Sequence, residues 1–504
     1  MGARQPVSTG PAGLPVPNST KSYWHTEPSE KLLGHRTTPE LPATADIVIV
    51  GSGMTGSWAA HFLKHGKAAH QSVVMLEARE ACWGATGRNG GHCQPFLYGS
   101  PPEVARFELE TYWFLRNFVA EHGIDCSWRS LNGVHAFLTQ DLYDLAAADV
   151  ERIKKELPDL ADKITAVSPT SSGEGGGLTL DALRVPSIKG AIVQQLAASL
   201  WPYKLVCWVL ERLLAIFPAP SFNLQTTTPV TSLQKGSGDY PWTVQTPRGS
   251  ISAKTVLLAT NAYTSHLLPA FADLIVPVRG QVGALIPPTE PAVDLGRSYV
   301  VVGAYEDAEG EPVTRDEYLV QRPLPGGELI LGGGRHLAAG LAVGEWRDDV
   351  VEEKVAAHLR DQLEPWLDLR SGEKAAGEGG GGEEEKKGLA AKMEWTGIMG
   401  YSLDRSPWVG PVPEGLGGGE GLWLCGGYTG HGMPHAALCA RGVVRMITGE
   451  KGHGVPGSFV VSGERVQQAR EVWGDIMSTE LKGIKALFAL GEATGKGQNP
   501  ETAA

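Results

Sequence analysis

Asp46-Ile47-Val48-Ile49-Val50-Gly51-Ser52-Gly53-Met54-Thr55-Gly56 is the stretch on which the fold turns. A short apolar run closed by glycine has the form of a parallel strand buried on both faces. Gly56 to His65 then carries helical spacing, and Val73 to Leu76 reads as the next strand. Strand, glycine turn, helix and strand follow one another within about thirty residues, the length of a right-handed βαβ unit. In the G-x-G-x-x-G pattern Gly51 serves the tight turn, Gly53 lets a pyrophosphate approach the backbone, and Gly56 lets the helix close on the strand. Met54 and Thr55 stand between the last two glycines. Glu77 ends the second strand, before Ala78 and Arg79, where a carboxylate accepts hydrogen bonds from an adenosine ribose. The combination implies a bound dinucleotide; a purely structural glycine turn is the competing reading.

Outward from this unit, composition sets limits. A chain of 504 residues is too long for one ordinary core, so two interleaved lobes with additions are expected. A net charge of -12 with no Lys/Arg cluster argues against nucleic acid or acidic lipid as partner. Cys82, Cys93, Cys126, Cys207, Cys425 and Cys439 are widely spaced without C-x-x-C, which suggests neither a metal site nor a disulfide framework and fits a reducing, cytoplasmic compartment. The first residues lack a signal-peptide core, and Pro6 stands where myristoylation wants Ser or Thr. The apolar stretch from Leu196 to Phe217 is interrupted by Pro202, Lys204, Glu211 and Arg212, so no membrane association is expected.

Residues 1–43 are rich in Pro, Ser and Thr and read as an extended arm pinned by Tyr23 and Trp24. Leu205 to Ile216 is expected to be helical; Thr228 to Leu233, Trp242 to Thr246 and Thr255 to Ala259 are expected to be extended. Ser171 to Gly177 and the Glu/Gly/Lys-rich Ser371 to Gly388 resist any packed reading and look like surface insertions. Arg465 to Met477 is amphipathic and leads into a polar tail.

FAD and NAD share the glycine fingerprint, and a second motif separates them. Gly84-Ala85-Thr86-Gly87-Arg88-Asn89-Gly90-Gly91-His92 follows the second strand with small residues and donors suited to a loop along a pyrophosphate and a flavin. Together with Ala259-Thr260-Asn261-Ala262, Pro277-Val278-Arg279-Gly280-Gln281 and Gly426-Gly427-Tyr428-Thr429-Gly430-His431-Gly432-Met433, these segments resemble the FAD-dependent oxidoreductases of the D-amino acid oxidase superfamily, which includes glycine, sarcosine and gamma-glutamylputrescine oxidases. The resemblance covers most of residues 44–450. Ser22-Tyr23-Trp24 and the Arg-Asn-Gly-Gly-His loop look most like a fungal-type branch, closer to the gamma-glutamylputrescine oxidases than to the D-amino acid oxidases proper.

The resemblance implies an α/β fold: a FAD-binding dinucleotide (Rossmann-like) domain of residues 44–130, 181–276 and 391–450, into which an α+β substrate domain of 131–180 and 277–390 is inserted. Residues 371–388 form a flexible insertion and 451–504 a C-terminal extension. It implies that Ala259, Thr260 and Asn261 make a turn beside the FAD diphosphate, that the Val230 backbone faces adenine, and that Gly427, Gly430, His431, Gly432 and Met433 open a helix at about Pro434 whose free N–H groups face the flavin. Two departures matter. Pro434 stands where sarcosine-type relatives carry a carboxylate-binding lysine, and Gly397 and Arg88 stand where relatives tether the flavin through cysteine or histidine, so a dissociable FAD is expected.

His92 and His431 are candidate acid-base groups or, alternatively, hydrogen-bond partners of cofactor or backbone. Arg279 is a candidate grip for an anionic substrate, with structural ion pairing as the alternative. Tyr305 and Tyr318 are candidates by position alone. The expected activity is oxidation of a small amine or amino-acid derivative by hydride transfer to flavin, with imine hydrolysis and oxygen as acceptor, giving hydrogen peroxide. A flavoprotein with a structural or trafficking role and no amine turnover is the alternative. A nicotinamide-dependent dehydrogenase is disfavoured, because it needs neither the loop from Gly84 to His92 nor the C-terminal glycine segment.

Overall fold

In the computed structural model, which describes residues 10–172, 177–306, 312–315, 317–370, 388–474 and 476, the strand Thr44–Val50 lies inside a largely parallel sheet. Its neighbours are Val73–Leu76 and Gly249–Leu258, both parallel to it. Phe222–Gln225 adds beyond the first and Leu422–Gly426 beyond the second, again in parallel, and Trp408–Pro411 closes that side antiparallel. Ile47 and Ile49 pack on a helical layer made by Met54–Lys64, Pro202–Ile216 and Ala436–Ile447, while Val48 and Val50 face Trp242 and Val244 of an antiparallel hairpin. Covering both faces removes the need for polar alternation, and each such aliphatic side chain contributes about 1.5–3 kcal/mol by its burial.

The second sheet runs in the order Ala391–Ser402, Ile275–Leu285, Leu329–Gly332, Tyr318–Gln321, Arg297–Val302, Arg129–Phe137, Gly190–Ser199 and His92–Cys93. It is antiparallel except where Arg297–Val302 runs parallel to Arg129–Phe137. Its first two strands pair from Ile275 opposite Ser402 to Leu285 opposite Ala391. Two segments differ from expectation, since Gly190–Ser199 and Ala391–Ser402 belong to this second sheet rather than to the first. At the other edge His92 pairs with Ser199. The loop that leaves the first sheet after Val73–Leu76 is thereby stitched to the second, and the space between the sheets is roofed by that loop.

The arm is part of the body. Trp24 is fully buried, donates from Nε1 to the Asn89 carbonyl at 2.5 Å and accepts on its own carbonyl from Trp201 Nε1 at 2.8 Å. Further out, Thr20 N–H donates to the Asp348 carbonyl at 2.8 Å and Ala12 N–H to Ser265 Oγ at 3.0 Å. The expected helices appear as Pro202–Ile216 and Gly463–Trp473. Residues 173–176 and 371–387, on which the two expected insertions fall, lie outside the described residues, as does the Tyr305 side chain. No helix among the described residues is long and apolar enough to cross a membrane.

Candidate functional site

The C-terminal ends of Thr44–Val50, Val73–Leu76 and Gly249–Leu258 open into a cavity of about 720 Å³ that runs between the two sheets. This is the end of a parallel sheet at which ligands bind. Gly51 turns there with φ +106°, and a Cβ on it would meet the Ala259 carbonyl at 2.7 Å. A Cβ on Gly56 would stand 1.9 Å from the Gly51 carbonyl oxygen, so only glycine lets the helix sit this close to the turn. Gly53 differs: its nearest neighbour would be Thr86 Oγ1 at 3.0 Å, and its open side faces the cavity. Thr86 also accepts the Met54 N–H at 3.0 Å, which joins the glycine turn to the second motif.

Glu77 collects three donors: Ser52 N–H at 3.1 Å, the Ser52 hydroxyl at 2.6 Å and Arg79 N–H at 3.0 Å. They fix its carboxylate at the strand end with the cavity in front of it. The cradle of glycines and a fixed carboxylate fits the turn, pyrophosphate and ribose of a dinucleotide. Of the remaining residues that the sequence points to, Thr55, Ala78, Arg79, Gly84, Ala85, Asn89 and Gly90 line the cavity, as do Ala259, Thr260 and Asn261 and, on the far side, Gly430, Gly432 and Met433. Val230 lines it as well, but from the segment just before the strand Ser232–Ser237 rather than within a strand. Gly56, Gly91 and Gly427 do not line it; Gly56 lies within the helix Met54–Lys64 and the other two have positive φ. Gly91 packs on the Leu200 carbonyl and Trp24, and Gly427 N–H donates to Asn261 Oδ1 at 2.9 Å. The helix expected at Pro434 starts two residues later, at Ala436.

Arg88 borders the cavity, but its guanidinium is committed elsewhere. Its nitrogens donate to Trp83 O at 3.0 Å, Thr396 O at 2.8 Å, Thr20 O at 2.8 Å and Ser19 Oγ, and Asp348 stands 3.2 Å from Nε. Burial, only partly offset by Asp348, brings its pKa down to about 10. Arg79 pairs with the same carboxylate at 3.0 Å. Asp348, 1% exposed, is therefore held between two arginines and ties the arm, the motif loop and the second sheet together. Arg279 is a correction to the expected substrate grip. Its guanidinium pairs with Glu352 and with Glu345 at 3.5 Å, and it lies outside the lining of the large cavity.

Beyond the dinucleotide turn the cavity is walled by His92, His135, Glu108 and His431. His92 Nε2 meets Ser298 Oγ at 2.9 Å, and burial together with nearby His431 lowers its pKa to about 3. His135, bonded to Tyr98 OH at 2.6 Å and Gln94 at 2.7 Å, is likewise lowered to about 3 by burial. Both imidazoles are therefore neutral near pH 7, each with hydrogen-bond partners at the cavity wall. Glu108 is different. Burial alone would raise its carboxyl, but His431 Nε2 at 3.1 Å and His435 Nε2 at 3.2 Å outweigh it and hold it well below the usual carboxylate range.

Sequence reasoning missed Glu108, Asp348 and Tyr428. Tyr428 OH meets Thr55 Oγ1 at 2.7 Å, so the C-terminal segment grips the first helix directly. Two groups among the described residues bring ligand atoms within 4.8 Å of one another, Glu108/His431/His435 and Glu317/His336/His358. Glu317 is also paired with Arg315 at 3.0 Å, and one Glu108 oxygen also accepts Phe96 N–H at 2.6 Å.

Comparison with known proteins gives this geometry its family. The model of the FAD dependent oxidoreductase (DAO) family matches residues 46–446. The chain is 25% identical over 437 residues to the probable oxidoreductase OrdL of Rhizobium meliloti, covering 82% of this chain and 85% of that one. It is 24% identical over 433 residues to gamma-glutamylputrescine oxidoreductase of Escherichia coli, covering 81% and 84%. Among solved structures, glycine oxidase from Geobacillus kaustophilus superposes with a TM-score of 0.59 at 18% identity, covering 84% of this chain and 99% of that one. L-proline dehydrogenase from P. horikoshii also gives 0.59 at 18% identity, covering 81% and 94%. These two share the fold, and the family match spans both the glycine turn and the histidine-lined end of the cavity: the chain belongs to the DAO family of FAD-dependent oxidoreductases.

Proposed function

We propose that this enzyme oxidises an amine or amino-acid derivative at the carbon beside nitrogen, that water hydrolyses the resulting imine, and that molecular oxygen is the final acceptor and leaves as hydrogen peroxide. FAD, when bound, would supply the redox chemistry as acceptor of the hydride. The observation that carries the reading is the single cavity that joins the Gly51–Glu77 cradle to a histidine- and glutamate-walled end between the sheets. In this reading the first sheet is the nucleotide-binding lobe and the second the substrate lobe.

The chain's own residues orient and charge the site. Glu77 would receive the ribose hydroxyls, and the N-terminal end of the Met54–Lys64 helix would face the pyrophosphate. His92 stays neutral and holds a hydrogen bond at the cavity wall, and His431 is the candidate for handling the substrate proton. Every cysteine is free and buried, and Gly397 stands where a cysteine tether is expected, which supports dissociable FAD. The buried free thiols support a cytoplasmic setting, and similarity to gamma-glutamylputrescine oxidoreductase supports a place near those oxidases. Oxygen uptake and peroxide release measured with a panel of amines, polyamine derivatives and amino acids test the reading. Stoichiometric peroxide with at least one compound is expected, and its absence across the panel would sink it.

A further inference from the structure

We propose that Glu108 is the positioning residue of a Glu108–His431 pair in which His431 Nδ1 takes a proton from the substrate's ammonium group, so that the amine enters charged and is oxidised neutral. The inference rests on the amine-oxidising reading above and deepens it.

Glu108 comes from the helix Pro102–His122 and is 1% exposed. A carboxylate buried to this degree is costly unless paired. The other fully buried acids each have an arginine, Asp348 two and Glu317 one beside His358 at 2.8 Å, and a guanidinium keeps its charge throughout the working range. The ionisable partners of Glu108 among the described residues are two imidazoles, groups that, unlike a guanidinium, exchange a proton. The site is arranged to exchange a proton rather than to lock a charge.

The two imidazoles are not equivalent. His435 is 5% exposed, its Nδ1–H donates to the His431 carbonyl at 2.7 Å, and its Nε2 faces Glu108. Through Nδ1 it braces the His431 backbone. The His431 side chain is 40% exposed and lines the cavity; its Nε2 faces Glu108 and its Nδ1 has no partner among the described residues. A carboxylate only accepts, so it fixes the proton of neutral His431 on Nε2 and leaves the Nδ1 lone pair as the base. In the step itself an N–H bond of the ammonium breaks, the electron pair stays on nitrogen, and a new N–H bond forms at Nδ1. The imidazolium so formed is stabilised by Glu108 and loses its proton to water through its exposed edge. The neutral nitrogen then has the lone pair that the departing hydride requires. The titratable groups around the pair are His435, His92 and His135 on the His431 side and Cys93 on the Glu108 side.

The wild-type holoenzyme gives the first test. Profiles of kcat/KM against pH for amines of differing pKa should share one acidic inflection, set by the enzyme; an acidic inflection that instead tracks each amine's own pKa overturns the proposal. The second test uses variants checked for unchanged FAD content. His431→Asn should lower kcat/KM about 10²- to 10⁴-fold near neutrality and recover at alkaline pH, where solution supplies the neutral amine. Glu108→Gln should move the inflection to lower pH by about one unit or more, because a neighbouring anion raises an imidazole pKa, and Glu108→Asp should restore part of that shift. Unchanged profiles in both His431→Asn and Glu108→Gln overturn the pairing while leaving amine oxidation intact. No turnover of any amine by the wild type overturns both.

Discussion

Replacing Gly56 by alanine places a methyl group 1.9 Å from the Gly51 carbonyl oxygen, 3.0 Å from the Gly51 carbonyl carbon and 3.4 Å from Ile49 Cγ2. The first two neighbours are backbone, so relief requires the helix Met54–Lys64 to move off the strand by about an ångström in a core packed like a crystal. Overpacking of this kind costs about 1–3 kcal/mol. The gain in helix propensity from glycine to alanine returns up to about 1 kcal/mol. A net loss of about 1–2 kcal/mol is expected, with a further consequence: the shift opens the Gly51 turn and FAD affinity falls. Gly53→Ala is the control, because its methyl would meet only the Thr86 side chain while projecting into the cavity. It should leave the apoprotein melting temperature within a degree or two and weaken FAD. Thermal melts of the apoproteins and fluorescence titration with FAD separate the two. A Gly56→Ala protein that keeps both the wild-type melting temperature and wild-type FAD affinity would refute the steric reasoning.

Glu77→Gln should weaken FAD about 10- to 100-fold in the same titration, since hydrogen bonds to a charged acceptor are worth about 1.5–3 kcal/mol. Asp348→Asn leaves Arg79 and Arg88 buried without their counter-charge and should cost about 3–5 kcal/mol in urea unfolding, with loosening of the arm near Thr20. His92 and His135 are lowered to about 3 in the folded chain, against about 6.5 when unfolded, so the unfolded state binds the extra protons between those values. Their contribution to stability is full above pH 6.5 and falls by about 1.4 kcal/mol per pH unit for each histidine as the pH drops towards 3. His135→Gln should flatten the measured stability slope across that window, and an unchanged slope would remove His135 from the account.

What the sequence discloses is what local rules determine. The apolar run from Ile47 to Val50, its closing glycine and the acid at the next strand end lie within one βαβ unit, and each follows from backbone sterics or strand burial. Membership of a sheet is another matter. Residues 191–198 within Gly190–Ser199 read Ala-Ile-Val-Gln-Gln-Leu-Ala-Ala, a largely apolar run that nothing local sets apart from the first sheet, and only its pairing with Arg129–Phe137 assigns it to the second. Glu108 sits in an amphipathic helix among other acids, where a carboxylate is usually solvated. Its burial depends on His431, which is 323 residues away in the chain. Asp348 is likewise decided by Arg79, 269 residues away. Arg279 lies in a segment that resembles the family, yet Glu345 and Glu352 claim it, and no spacing in the sequence announces that.

The most direct test of the central claim is the visible absorption of FAD-replete protein mixed anaerobically with the amine panel. A flavin band that at least one amine bleaches, and that oxygen restores, is the expected result. A flavin band that no amine bleaches, or protein that takes up no flavin at all, would contradict it.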